Sequence, residues 1–332
     1  MRRVLVTGAT GGLGLGLVAA LRADGFNVRA TGRSLAHAAR LQVTGAEFIA
    51  ADLNEAQAVD RLCDGMDSVI HAAALSSPWG RDADFRRANV AITKGLMESA
   101  RRAGCRRFVF VSSPSVYADT CDRLNLTEDS PLPRRFLNAY AATKAEAERL
   151  VLAANDETMA TIAIRPRAIV GPDDQVLLPR FLRVIRKGVF PLLHKGQALI
   201  ELSDVRDVAR ALILAEVRAP DLGGQVFNIS GGHALPVKET VAALAKALGQ
   251  DLRFVGLPFA PMRAVAATME AVAAALPGRP EPPLTVYSLC TLAFSQTFDL
   301  TRARTRLGYA PRHDALETAL SVAQTLANRG VA

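Results

Sequence analysis

Short apolar strands and helices alternate through the first third of the chain, and this order restricts the possible folds more than any other feature. Each of five strands is followed by a segment of helical composition, all within roughly 110 residues. The strands are predicted at Arg3–Thr7, Asn27–Thr31, Glu47–Ala50, Ser68–His71 and Arg107–Val111. Strands that are joined by helices pair in parallel, so the order predicts an α/β fold with a doubly wound parallel sheet.

A glycine-rich segment connects the first strand to the first helix, which is predicted at Leu13–Ala23. Glycines allow a tight turn and a close approach of the backbone, while the N-terminus of the helix offers unpaired N–H groups and a positive dipole end. A phosphate-binding loop of a Rossmann-type fold requires this order, and a glycine-rich turn without a ligand is the alternative. The residues predicted to bind a dinucleotide here are Gly8, Thr10, Gly11, Gly12, Leu13 and Gly14.

The residue after the second strand indicates which dinucleotide binds. An Asp or Glu is usual here when the adenine ribose carries a free 2′-hydroxyl. This chain has Arg33 instead, and an arginine can pair with a 2′-phosphate. We therefore predict NADP(H) as the preferred cofactor, with NAD(H) as the second possibility.

Residues after the third and fourth strands are predicted to complete the cofactor site. Asp52 and Leu53 are predicted to contact the cofactor, and Asp52 is expected to accept a hydrogen bond from the adenine amine. Alternatively, Asp52 caps the helix that begins near Glu55. Three small side chains after the fourth strand leave room for a cofactor to lie against them: Ala72, Ala73 and Ala74.

Tyr140 and Lys144 stand one turn apart in a helix predicted at Asn138–Ala154. At this spacing a phenol and an ammonium lie on the same face of the helix. A tyrosine has a pKa of about 10 in water, too high for a base at neutral pH, and a nearby ammonium would lower that pKa. The pair predicts a proton-transfer site, although an exposed helix with an extended lysine gives the same pattern.

The composition limits the partners of the chain. Its 332 residues carry a net charge of +8, mainly on arginines that are spread along the chain rather than clustered. This distribution argues against a nucleic-acid surface and suits an anionic cofactor or substrate. The four cysteines and five histidines are dispersed, so we expect reduced thiols, a cytoplasmic location and no metal site.

The most apolar segment covers residues 257–276, and prolines and charged residues interrupt it. We expect a helical lid over an apolar pocket, with contact to a membrane surface as the alternative. No long uncharged run occurs, so no transmembrane helix is expected. Further strands are predicted at Thr161–Ile164 and Gln225–Ile229, with a basic helix at Arg180–Lys187 and mainly helices after Gly232.

Together these motifs resemble those of an extended short-chain dehydrogenase/reductase of the NAD-dependent epimerase/dehydratase superfamily. The resemblance covers essentially the whole chain, and its motifs are Gly8-x-x-Gly11-x-x-Gly14, Ser113, Tyr140-x-x-x-Lys144, Arg165-Pro166, Gly171-Pro172 and Ser203-Asp204-Val205-Arg206-Asp207-Val208-Ala209. Within this class the chain is similar to the 3β-hydroxysteroid dehydrogenase-like branch and to bacterial 2-alkyl-3-ketoalkanoate reductases. The likeness to the steroid branch rests on Val111-Ser112-Ser113-Pro114-Ser115-Val116, Tyr140-Ala141-Ala142-Thr143-Lys144 and Phe294-Ser295-Gln296-Thr297-Phe298-Asp299. The likeness to the reductases gains support from Val151-Leu152-Ala153-Ala154-Asn155-Asp156 and Leu177-Leu178-Pro179-Arg180.

Two positions depart from the family pattern. Ala118 stands where epimerase-like members usually have a glycine, and Arg33 stands where the steroid enzymes commonly have an acid. The NAD preference of the steroid enzymes is therefore not expected here.

The resemblance implies hydride transfer between a nicotinamide and a secondary alcohol or ketone on a bulky apolar substrate. Tyr140 would exchange a proton with the substrate oxygen, and Lys144 would also hold the nicotinamide ribose. Ser113 would donate a hydrogen bond to the same oxygen, since its spacing fits the family better than that of the rival hydroxyls of Ser112 and Ser115. Backbone contacts to the cofactor would come from Pro166 and Ala168.

The family also implies a division of the chain and an oligomeric state. A homodimer would form through the two long helices at Phe85–Ala103 and Asn138–Ala154. The alternatives are a nucleotide-sugar epimerase or dehydratase, which would use the same Tyr, Lys and Ser, and a non-catalytic dinucleotide sensor. The cofactor-binding domain would comprise residues 1–170 and 200–231, and the substrate-binding part would comprise 171–199 and 232–332.

Overall fold

A computed structural model describes residues 1–328 of the protein. In its first part the strands and helices alternate as the sequence predicts. A π-helical segment, Arg86–Ala91, joins the two helices that precede β5. The elements of this part are β1 (Arg3–Thr7), α1 (Gly12–Ala23), β2 (Asn27–Gly32), α2 (Ala38–Val43), β3 (Glu47–Ala50), α3 (Ala56–Cys63), β4 (Ser68–His71), α4 (Asp82–Phe85), α5 (Ile92–Arg102) and β5 (Arg107–Val111).

The rest of the chain adds two long strands, several short ones and more helices. The elements of this part are β6 (Arg123–Leu126), α6 (Ala139–Ala153), β7 (Ala160–Pro166), β8 (Ile169–Val170), α7 (Leu178–Ile185), β9 (Val189–Leu192), β10 (Leu199–Glu201), β11 (Ser203–Asp204), α8 (Val205–Leu222), β12 (Gln225–Ile229), β13 (Ala234–Pro236), α9 (Val237–Ala247), β14 (Arg253–Gly256), α10 (Phe259–Ala275), α11 (Val286–Ala293), β15 (Gln296–Phe298) and α12 (Ala315–Asn328).

Seven parallel strands form the central sheet, in the spatial order β12-β7-β5-β4-β1-β2-β3. From β1 the sheet continues through β2 and β3 to one edge. On the other side of β1 it continues through β4, β5 and β7 to β12 at the opposite edge. The direction therefore reverses between β1 and β4, where Thr7 pairs with His71. In sheets of this kind ligands bind outside the carboxyl ends of the strands at this point. The predicted Rossmann-type fold is confirmed.

Helices cover both faces of the sheet. On one face α1 and α8 contribute buried leucines such as Leu17 and Leu212 to the core. On the other face α3 and α5 contribute Leu62 and Leu96. Each such side chain stabilises the fold by about 1.5–3 kcal/mol through its removal from water. The two layers fix the sheet, and with it the edge at which the predicted site lies.

A second core lies among α7, α9 and α12, where Leu182, Val241 and Ala319 are buried. The helices α10 and α11 form a smaller apolar cluster around Leu289. The opposite side of α10 is exposed, with Val272 55% accessible. The apolar segment 257–276 thus contributes one face to the protein interior and presents another to solvent. In the part of the chain that is described, no helix is both long and apolar enough to cross a membrane.

Two local predictions differ from the structure. The helix expected near Glu55 begins at Ala56, and no side chain caps it. Asp52 accepts hydrogen bonds from the backbone and side-chain nitrogens of Asn54 instead, at 3.0 and 2.7 Å, so the alternative capping role of Asp52 is wrong. The basic helix begins two residues early, at Leu178, because the Asp174 carboxylate accepts the Leu178 N–H at 2.9 Å.

Candidate active site

The glycine-rich loop turns between β1 and α1 at the crevice of the sheet. Gly8 has a φ of 68°, and a Cβ atom there would lie 2.7 Å from the Ala73 nitrogen. A Cβ atom at Gly14 would lie 2.2 Å from the Gly8 oxygen. Both positions therefore need glycine, because the loop packs directly on the backbone after β4 and on the first turn of α1.

The N-terminus of α1 is open to an anion. Its N-cap, Gly11, has no side chain to bond the first amides, and the first turn contains no acidic residue. A Cβ atom at Gly11 would meet only the Gly8 oxygen, at 3.4 Å. The first-turn N–H groups and the positive dipole end therefore fit the pyrophosphate of a dinucleotide. Thr10 and Leu13 flank this position, and Leu13 also packs against the core.

A second loop approaches the same glycines, and the sequence prediction missed it. A Cβ atom at Gly12 would lie 2.5 Å from the Asp173 oxygen, in the loop after β8. Arg40 of α2 donates two hydrogen bonds to the Asp173 carboxylate, at 2.8 and 2.9 Å. These contacts connect segments that lie far apart in the sequence and enclose the phosphate side of the site. The only sequence feature that marked this loop is the Gly171-Pro172 motif.

The side chains predicted to bind the adenosine end lie at the carboxyl ends of β2 and β3. Arg33 is exposed after β2. The hydrogen bonds from Asn54 lower the pKa of Asp52, and the positive charge of Arg33 lowers it further. Leu53 packs against the layer formed by α3 and α5. Arg33 and Asp52 therefore lie within electrostatic reach of each other.

The three alanines after β4 line the crevice above a chain of buried polar groups. Thr7 Oγ1 lies 2.7 Å from His71 Nδ1, and Thr93 Oγ1 lies 2.9 Å from His71 Nε2. Burial lowers the pKa of His71 to about 3, so the imidazole is neutral at physiological pH. Thr7 Oγ1 also accepts the Ala73 N–H at 3.3 Å. Ala72 and Ala73 are half-buried, and Ala74 is exposed.

Tyr140 lies in the first turn of α6, which Asn138 caps by accepting the Ala141 N–H at 2.9 Å. The Tyr140 ring packs against Phe85 with 6.4 Å between the ring centroids. Burial raises the pKa of Tyr140, and hydrogen bonds with Ser113 and Ser76 oppose this shift. The predicted lowering of the Tyr140 pKa by Lys144 is thus not seen, and burial of the phenol sets the direction of the shift. No sequence feature predicted that Ser76 would lie near Tyr140.

Lys144 is buried one turn after Tyr140. Its Nζ donates to the Val111 carbonyl at 2.5 Å and lies 4.0 Å from the centre of the Phe110 ring. Burial lowers the pKa of Lys144 to about 7, and the carboxylate of Glu148 on the next turn opposes the shift. Arg165 holds Glu148 in a buried ion pair. The charge of Lys144 therefore depends on its environment near neutral pH.

Ser113 is the N-cap of a short 3₁₀ turn after β5, and its Oγ accepts the Ser115 N–H at 3.2 Å. The rival hydroxyls of Ser112 and Ser115 are buried and have no hydrogen-bond partner among the described residues. Of the three, the hydroxyl of Ser113 is the one that acts on the pKa of Tyr140. The choice of Ser113 made from the family spacing stays a prediction.

The end of β7 brings Pro166 and Ala168 to the same edge of the sheet. Ala168 has a φ of 37°, which is unusual for a residue other than glycine, and its carbonyl accepts the Ser203 N–H at 3.1 Å. The two residues predicted to contact the cofactor through their backbone thus lie where such a contact is possible. Within residues 1–328 no group of three or more metal-ligating side chains is arranged around a common point.

The sequence matches the model of the NAD dependent epimerase/dehydratase family over residues 4–230. The chain belongs to this family. It is 36% identical to a 2-alkyl-3-oxoalkanoate reductase of Stenotrophomonas maltophilia, over 93% of this chain and 95% of that protein. It is 30% identical to a 3 beta-hydroxysteroid dehydrogenase/Delta 5-->4-isomerase of Mycobacterium tuberculosis, over 93% of this chain and 86% of that protein.

A solved structure of MoeE5 in complex with UDP-glucose and NAD superposes with a TM-score of 0.77 at 28% identity, over 99% of this chain and 100% of that one. The family, the fold and the likeness to the two groups of reductases and dehydrogenases are thereby confirmed. The protein is an oxidoreductase of the extended short-chain dehydrogenase/reductase class that acts on CH–OH groups, so the interpretation as a non-catalytic sensor is set aside.

Proposed function

We propose that this protein is an NADPH-dependent reductase of a ketone on a bulky, apolar substrate. The observation that carries the proposal is the convergence of the Ser113 hydroxyl, the Tyr140 phenol and the Lys144 ammonium beside a helix N-terminus that fits a pyrophosphate. The names of the two relatives, a reductase and a dehydrogenase, support a hydride-transfer reaction.

The protonated phenol of Tyr140 can act as the proton donor in a reduction. Because burial raises its pKa, the phenol keeps its proton at neutral pH and can donate it to a carbonyl oxygen. Ser113 donates a hydrogen bond to the same oxygen and stabilises the charge that develops there. NADPH, when bound, would supply the hydride that reduces the carbonyl carbon. Lys144 lies one turn away on the same helix, where its ammonium would attract the phenolate that this proton transfer leaves.

The apolar cluster around α10 and α11 supports a hydrophobic substrate. Phe259 and Phe294 pack edge to face with 4.9 Å between ring centroids, and Met262 and Leu289 belong to the same cluster. Pockets for bulky ligands are lined mainly by such side chains, with few polar groups. A sterol or a long acyl chain fits this composition.

The proposal of NADPH rests on Arg33. Its exposed guanidinium follows β2, where the 2′-position of the adenine ribose is expected in a fold of this type. An arginine binds phosphate through two parallel hydrogen bonds, whereas a free ribose diol gains little from it. NAD(H), which is bound in the MoeE5 structure, is the second possibility.

A nucleotide-sugar epimerase or dehydratase is the second candidate, because the MoeE5 structure contains UDP-glucose. Such a substrate would need polar groups for its diphosphate and sugar. The apolar cluster around Phe259 and Phe294 offers few of them, so we favour the ketone.

We further propose a cytoplasmic homodimer that forms through α5 and α6, as is common in this class. The four cysteines, exposed Cys121 among them, are free thiols, which suits a reducing compartment. Contact of the exposed face of α10 with a membrane surface is the alternative for that helix.

A small substrate panel tests the proposed reaction. The protein is incubated with NADPH or NADH and with a 3-ketosteroid, the methyl ester of a 2-alkyl-3-oxo acid, or UDP-glucose. We expect oxidation of NADPH, faster than of NADH, with at least one of the two ketones. Epimerisation of the sugar nucleotide without reduction of either ketone would contradict the proposal.

A further inference from the structure

Arg167 takes no part in the proposed proton transfer, yet its side chain lies on the substrate side of the molecule. It follows β7 directly, where its N–H donates to the Ile229 carbonyl at 2.8 Å and its own carbonyl accepts from the Ser203 hydroxyl. The backbone is thereby fixed on both sides. The side chain lines a cleft together with Cys290 and Phe294 of the α11 region.

The described part of the chain provides no anion in ion-pair contact with this guanidinium. The Arg167 Nε is buried and has no hydrogen-bond partner. Glu201 is close enough to act on its charge, but that carboxylate is already bonded by a hydroxyl and by the Phe298 N–H at 2.9 Å. Asp119 lines the same cleft and pairs with Arg123 at 3.3 Å instead.

An unpaired cation inside a protein is unfavourable, because it loses water without gaining a counter-charge. Burial accordingly lowers the pKa of Arg167. A ligand that carries an anion would supply the missing counter-charge. The planar guanidinium fork matches a carboxylate, which can accept two parallel hydrogen bonds from it.

Tyr287 connects this cation to the proton donor. It lies in the first turn of α11, where burial raises the pKa of its hydroxyl to about 12, the guanidinium of Arg167 opposes this shift and the nearby phenol of Tyr140 adds to it. All three side chains are partly accessible although they are surrounded by protein. Tyr140 and Arg167 therefore both lie within electrostatic reach of Tyr287.

Resting on the proposed reductase function, we propose that Arg167 binds the carboxylate of an oxo-acid substrate and thereby selects anionic ketones over neutral ones. The carbonyl group of the substrate lies at Tyr140, its acid group at Arg167, and its hydrocarbon part against the apolar cluster of α10 and α11. Arg167 is a specificity-determining residue that does not contact the reacting atoms.

A binding experiment separates this proposal from the reaction itself. The probes are 2-hexyldecanoic acid, which has no ketone to reduce, and its methyl ester, each titrated calorimetrically into the full-length protein with NADP⁺ bound. Charge-assisted pairs of this kind change affinity by about 10- to 100-fold. We expect the acid to bind about 30-fold more tightly than the ester.

Three variants locate the effect. Arg167→Met should bind the acid no better than the ester and should leave the affinity of the ester unchanged. Arg167→Lys, which keeps the charge but loses the fork, should fall between that variant and the wild type. Arg183→Gln, which removes an exposed arginine of α7, should behave like the wild type.

Equal affinities of the wild type for acid and ester would overturn the proposal, and this comparison needs no variant to fold. Wild-type affinity of Arg167→Met for the acid would overturn it as well. Reduction of neutral ketones is measured in a separate assay. A protein that binds the acid through Arg167 but reduces no ketone would refute the proposed function and leave the anion site standing.

Discussion

Glu148 is predicted to set the pH at which Lys144 loses its charge, and with it the pH range of ketone reduction. Lys144 has a pKa of about 7, lowered by burial and supported by the carboxylate of Glu148. In Glu148→Gln this support is lost. The pKa of Lys144 therefore falls in the variant, and Lys144 becomes neutral at a lower pH.

The magnitude follows from Coulomb's law. Two unit charges about 6 Å apart, at an effective dielectric constant of about 20, interact by about 2.8 kcal/mol, or about two pKa units. Doubling the dielectric constant halves the shift. We therefore expect the alkaline midpoint of kcat/KM for NADPH to fall by about one to two pH units in Glu148→Gln.

The assay is the pH dependence of kcat/KM for NADPH at saturating ketone, which reports the ionisation of the free enzyme. Glu146→Gln is the matched control, since Glu146 lies on the same helix and pairs with the exposed Arg86 at 2.8 Å. This control should keep the wild-type midpoint. An unchanged midpoint in Glu148→Gln, with the control also unchanged, would refute the role given to Glu148.

Three further predictions follow from the site. Arg33→Asp should reverse the preference from NADPH to NADH, by about 10-fold or more in the ratio of the two kcat/KM values, and an unchanged ratio would show that Arg33 is only solvated. Asn138→Ala should lower the free energy of unfolding by about 1 kcal/mol, measured with urea, because the first turn of α6 loses its cap; no change would contradict the capping role. Gly14→Ala should abolish cofactor binding or folding, since its Cβ would lie 2.2 Å from the Gly8 oxygen. The control is Gly25→Ala, where a Cβ meets no atom within 4 Å. This control should keep cofactor binding and lose only the stability that the strain of its positive φ costs. Wild-type cofactor affinity and stability in Gly14→Ala would contradict the packing described for the loop.

The sequence alone predicts the sheet and most of the site, because these depend on local patterns. The helix expected at Asn138–Ala154 is observed at Ala139–Ala153 with the two predicted end residues as its caps, since Asn138 is a strong N-cap residue. The strand–glycine–helix order likewise specifies the loop before any contact is known.

The features that were missed depend on tertiary contacts. Arg40 and Asp173 are 133 positions apart, and no local pattern connects them. The direction of the Tyr140 pKa shift was wrong, because the spacing to Lys144 is visible in the sequence whereas the burial of the phenol is not. Ser76 and the buried chain around His71 escaped prediction for the same reason.

The central claim is that Tyr140 gives its proton to a ketone. Its most direct test is a single-turnover measurement of NADPH oxidation with Tyr140→Phe, alongside the affinity of the variant for NADPH. General acids contribute about 10²- to 10⁴-fold to such rates. We predict a loss of at least 10²-fold in the rate with nearly unchanged NADPH affinity. Turnover by Tyr140→Phe at the wild-type rate would contradict the mechanism.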